Sequence, residues 1–224
     1  MALASNQLSL VIPTSDGPLE GVLLYADNVC AEAGVLLCPP HPLLAGNMDN
    51  NVVRAVASRC AGLGLAVLLF NYRAVGRSFR PEPELPLFEY WHRLDTAGDF
   101  TAIIEDAQAV LQLSRRYFQR QHLIGYSFGA YIAAGLIDQT TASYTAITPP
   151  LMEHDFSPLN DLAVPGLLVE AENEPLLAPS QSLIGANHIL RRTLADTDHF
   201  FLGREEELAG MVAGFVAEHS PGPQ

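Results

Sequence analysis

Six strand-length runs recur along this chain: Val35–Cys38, Leu65–Phe70, His122–Tyr126, Tyr144–Ile147, Gly166–Val169 and His188–Leu194. Between and after them lie segments with apolar residues at helical spacing, such as Phe100, Ile103, Ile104, Ala107, Val110 and Leu111, or Leu208, Met211, Val212, Phe215 and Val216. Short buried strands alternating with amphipathic helices pack as a mostly parallel sheet covered on both faces. Two earlier runs, Gln7–Ile12 and Leu19–Tyr25, flank a turn at Asp16-Gly17-Pro18 and predict an antiparallel N-terminal hairpin. The expectation is one domain over residues 1–224, with about eight strands. In such sheets, sites form beyond the carboxyl ends of the strands.

One motif falls at such an end. Gly125-Tyr126-Ser127-Phe128-Gly129 joins the His122–Tyr126 strand to a helix with Tyr131, Ile132, Leu136 and Ile137 on its apolar face. A serine on a sharp strand-to-helix turn is the setting of a nucleophile elbow, and glycines two residues to either side let the backbone pack closely. A nucleophilic serine needs a base. His199, in Asp198-His199-Phe200-Phe201, follows the last strand and opens on the same sheet edge. His122 starts the strand that feeds the elbow and belongs at the far edge.

The base in turn needs a carboxylate to hold its tautomer. After Gly166–Val169 the chain reads Glu170-Ala171-Glu172-Asn173-Glu174. Glu174 is the candidate acid, with Glu172 as the alternative and Glu170 still in the strand. Two backbone N–H groups should face the developing oxyanion. Phe128 supplies one. The loop Pro39-Pro40-His41-Pro42-Leu43 supplies the other, and since proline has no N–H, it comes from Leu43 or His41, with Leu43 preferred. The stretch Phe79–Leu94, broken by Pro81, Pro83 and Pro86, reads as an irregular loop over the site. Its Tyr90 and Trp91, with Tyr126 and His41, are expected to line the substrate pocket.

Composition excludes other chemistry. All 12 basic residues are arginine, so Schiff-base, Ser-Lys and P-loop mechanisms are closed to the chain. A formal charge of −13 disfavours nucleic acid and anionic membranes as partners. Cys30, Cys38 and Cys60 have no metal-like spacing and read as small apolar core groups, and a Ser-His-acid mechanism needs neither a metal nor another cofactor. With no basic, apolar leader and no membrane-length run, the expected location is the cytoplasm. A homodimer is compatible with all of this, and the tail from Ser220 is expected to fray.

The blocks Pro40-His41-Pro42 with Gly46-Asn47-Met48-Asp49-Asn50, Phe70-Asn71-Tyr72-Arg73-Ala74-Val75-Gly76-Arg77-Ser78, the elbow and Asp198-His199-Phe200-Phe201 follow one another over nearly the whole chain. In this it resembles the small, lidless α/β-hydrolases related to dienelactone hydrolase and to Xaa-Pro-peptidase-like hydrolases. The resemblance implies an α/β-hydrolase fold, a triad of Ser127, His199 and Glu174, and hydrolysis of a small-molecule ester. Thioester hydrolysis, acyl transfer, peptidase activity and a non-catalytic binding role are the alternatives. The chain departs from these relatives in having glutamates where they carry aspartate, and Ala74 where they carry glycine. Dienelactone hydrolases proper have cysteine at the elbow, where this chain has Ser127.

Overall fold

In the computed structural model, which describes residues 6–27, 32–161, 163–174 and 188–220, β3 (Ala33–Cys38) is buried at every position. That follows from its two covered faces. Leu36 and Cys38 point into one apolar cluster, and Val35 and Leu37 into another. The same alternation holds in β4 (Ala66–Phe70), where Leu68 and Phe70 face the first cluster and Val67 and Leu69 the second. Each such aliphatic side chain contributes about 1.5–3 kcal/mol by leaving water.

The remaining strands are β1 (Asn6–Ile12), β2 (Leu19–Tyr25), β5 (Arg120–Tyr126), β6 (Thr141–Ile147), β7 (Gly166–Ala171) and β8 (Ile189–Leu194). They form one eight-stranded sheet in the order β1-β2-β4-β3-β5-β6-β7-β8. β1 pairs antiparallel with β2 and β2 antiparallel with β4, while all other pairings are parallel. The α/β architecture and the N-terminal hairpin thus stand as expected. α1 (Asn51–Gly62) and α5 (Glu205–Glu218) cover one face; α2 (Leu87–Ala97), α3 (Thr101–Arg115) and α4 (Phe128–Ala134) cover the other. No described helix is long and apolar enough to cross a membrane.

The chain leaves β3 for β4 on one side, then returns past β3 to β5 on the other. That reversal is the switch point at which doubly wound sheets hold ligands. Because Cys38 pairs with Gly125 in register, the loop after β3 and the turn after β5 emerge side by side.

Two expectations change. Residues 79–94 are not irregular throughout, since Leu87–Ala97 is helical. Pro86 sits at its N-cap, where a missing N–H costs nothing, and Gly98 ends it at φ 63°. Ser220 does not fray: its Oγ donates to Val216 O at 2.8 Å and meets His122 Nε2 at 3.0 Å. His122 lies at the far end of β5 from Ser127, with Ser143 Oγ on its other nitrogen. Burial lowers its pKa to about 4, which keeps it neutral. Cys38 and Cys60 are buried, as expected of core groups. Cys30 and residues 221–224 lie outside the described residues.

Candidate active site

Ser127 links β5 to α4 with φ 53° and ψ −124°, a backbone conformation that L-residues rarely adopt. It is over-determined from both sides. Ser127 N–H donates to Ile147 O at 2.8 Å, and Ser127 O accepts from Ala130 N–H at 2.8 Å. A Cβ at Gly129 would overlap the carbonyl oxygens of Cys38 and Pro39, and one at Gly125 would overlap Gly129 O. Both glycines are therefore steric requirements of the turn. The Ser127 side chain is nearly buried, yet its hydroxyl has no hydrogen-bond partner among the described residues.

His199 sits on the turn between β8 and α5, and Glu174 just after β7. Their side chains are 8% and 2% exposed, and His199 Nδ1 lies 2.7 Å from Glu174 Oε2. An ionised carboxylate only accepts, so Nδ1 carries the proton and the Nε2 lone pair is left for another donor. Tyr126, next to Ser127, donates its hydroxyl to His199 O at 2.7 Å and so ties the histidine turn to the elbow. No hydrogen bond joins His199 to Ser127; contacts of this kind commonly tighten only around the reacting substrate. Glu172 faces elsewhere: its Oε2 accepts from Asp196 N–H at 2.9 Å and braces the loop. Glu170 ends up in β7, as the sequence suggests.

The loop after β3 forms a 3₁₀ turn, Pro42–Leu44, capped by His41. Leu43 N–H donates to His41 Nδ1 at 3.3 Å, and His41 Nε2 meets Asp95 Oδ1 at 3.0 Å. Leu44 and Gly46 N–H groups both go to His41 O. Of the two expected oxyanion donors, Phe128 N–H has no acceptor among the described residues, whereas Leu43 N–H holds a long bond to His41.

A cavity of about 630 Å³ opens beside Ser127, lined by His41, Leu43, Leu44, Asp95, Gly98, Phe100, Phe128, Pro150, Glu153 and His154. Trp91, Tyr90 and Tyr126 are absent from this lining, which corrects their expected place in the pocket. Trp91 is fully buried behind the wall, its ring 5.1 Å from that of His41 and 6.0 Å from that of Phe128. Its helix presents Tyr90 and Trp91 inward to the core and sends Asp95 to the cavity instead. Asp95, Phe100, Glu153 and His154 were not singled out from sequence as pocket residues. Asp95 becomes visible once Pro86 and Gly98 are read as helix ends. Burial lowers the pKa of His41 and of His154, against the opposing pull of Asp95 and Glu153, which favours neutral rings. No cluster able to hold a metal occurs among the described residues.

No family model matches the chain. An uncharacterized protein of Rickettsia prowazekii is 27% identical over 90% of this chain and 85% of its own length. An α/β serine hydrolase homologue from Coxiella burnetii superposes with a TM-score of 0.78 at 27% identity, covering 94% of this chain and 97% of that one. A serine hydrolase without a lid from Xanthomonas campestris gives 0.76 at 26% identity, covering 98% and 97%. Both neighbours are thus α/β serine hydrolase homologues, one of them without a lid, and this chain has the α/β-hydrolase fold.

Proposed function

We propose that this protein is a serine hydrolase that cleaves carboxylic esters through a covalent acyl-enzyme. The observation that carries the reading is the buried His199–Glu174 pair, 2.7 Å apart, whose histidine turn Tyr126 ties to the strained Ser127 elbow. In this mechanism His199 Nε2 takes the Ser127 proton as Oγ attacks the acyl carbon. Glu174 stabilises the imidazolium and holds its tautomer. The oxyanion accepts from Phe128 N–H and from Leu43 N–H, which exchanges its 3.3 Å bond to His41 for a shorter, charge-assisted one. His199 then protonates the departing alkoxide and activates the water that hydrolyses the acyl-enzyme. Every step uses side chains and backbone of this chain, with no cofactor.

Before the oxyanion forms, His41 positions Leu43 by accepting its N–H at Nδ1, while Asp95 fixes the ring through Nε2. Esters are favoured over amides because an alkoxide leaves with less help than an amine. A matched series of 4-nitrophenyl ester, thioester and 4-nitroanilide with one acyl chain tests this directly. Ester hydrolysis is expected well above the buffer rate, with no measurable anilide turnover. Absence of ester turnover, or an anilide cleaved as fast as the ester, would overturn the reading.

A further inference from the structure

The cavity beside Ser127 has a direction. A leaving group must lie within reach of His199, which returns the proton to it. His199 does not line the cavity, whereas Ser127, Phe128 and Leu43 do. On the serine hydrolase reading, the cavity therefore receives the acyl chain.

Its electrostatics are one-sided. Asp95 and Glu153 contribute carboxylates, and no arginine lines the space. The chain has no lysine to supply a cation. Asp95 gives one oxygen to His41 Nε2, a bond to a neutral ring that leaves its charge uncancelled. Glu153 is exposed and makes no ion pair among the described residues. Of the remaining walls, Leu43, Leu44, Phe100, Phe128 and Pro150 are apolar, and burial favours the neutral form of the His41 and His154 rings. An independent feature marks the space as a ligand site: the nearly buried Ser127 hydroxyl lines it without a hydrogen-bond partner.

We propose that this cavity selects esters whose acyl chain carries a cationic ammonium group, bound between the Asp95 and Glu153 carboxylates and the apolar walls. The inference rests on the serine hydrolase reading and adds its substrate class. A substituted ammonium suits such a pocket because its alkyl groups pack on apolar and aromatic walls while its charge meets the carboxylates. An acyl carboxylate is repelled there by the same field.

Three 4-nitrophenyl esters test it, their acyl chains ending three methylenes from the carbonyl in trimethylammonium, tert-butyl or carboxylate. The first two are isosteric, and each kcat/KM is divided by the rate of spontaneous hydrolysis to remove intrinsic reactivity. At low salt the ammonium ester is expected about tenfold above the tert-butyl ester, and the carboxylate ester about tenfold below it. The ammonium preference should shrink as salt screens the partly exposed carboxylates. Glu153→Gln is expected to lower the ammonium-to-tert-butyl ratio about threefold. A wild-type ratio at or below one, or one unmoved by both salt and Glu153→Gln, overturns the inference while leaving the hydrolase reading intact. Failure to cleave any of the three overturns that reading, and this inference with it.

Discussion

Ser127→Ala is expected to lower kcat on a 4-nitrophenyl ester by about 10⁵-fold or more while leaving the fold intact. The two halves of this result have separate physical origins. Rate is lost because the only nucleophile on the elbow disappears; the Phe128 and Leu43 N–H groups then leave a small residual acceleration over buffer. Stability is kept because the Ser127 hydroxyl makes no hydrogen bond among the described residues, so its removal orphans no partner. Alanine also retains a Cβ, so the strain of φ 53° is unchanged. Steady-state kinetics and a thermal melt on one preparation check both halves. A variant that keeps more than a tenth of the activity would remove Ser127 from the mechanism, and a large fall in Tm would point to a structural role.

Glu174→Gln is expected to lower kcat by about 10³–10⁴-fold, whereas Glu172→Gln is expected to stay within a few-fold of wild type. The contrast follows from what each carboxylate holds. Glu174 Oε2 receives His199 Nδ1–H at 2.7 Å in a site closed to water. A glutamine there can turn its NH₂ toward Nδ1, which forces the proton onto Nε2 and removes the lone pair that must accept from Ser127. Glu172 instead accepts one backbone N–H, from Asp196, a task that a glutamine oxygen performs equally well. Parallel measurements of kcat on both variants decide the matter. A larger loss in Glu172→Gln would exchange their roles.

That choice between two carboxylates marks the limit of what the sequence carries. The strands were legible because burial on both faces leaves continuous apolar runs, and Ser127 was legible because its turn demands Gly125 and Gly129. Glu172 and Glu174 are equally competent acids two residues apart. Only the pairing of the β7 and β8 ends, with Glu172 N–H on Leu194 O and Asn173 N–H on Thr197 O, separates their roles. Helix α2 was hidden by its own punctuation. Three prolines suggested a loop, although Pro86 caps the helix and Tyr90 and Trp91 form its buried face. The cavity draws on the loop after β3, the end of α2, the elbow and the segment near Glu153, so no local pattern announces it. Ala74 takes φ 64°, a left-handed conformation that an alanine in the sequence does nothing to announce.

Labelling with a fluorophosphonate reads out the nucleophile most directly, because phosphonylation needs both a serine oxygen and the base that activates it. Incubation of the native protein followed by intact-mass analysis and peptide mapping is expected to show one adduct per chain, on Ser127. The adduct should be absent from Ser127→Ala and form far more slowly in His199→Ala. A native protein that stays unmodified where a control esterase is labelled, or an adduct on any other residue, would contradict the assignment of Ser127 as the nucleophile.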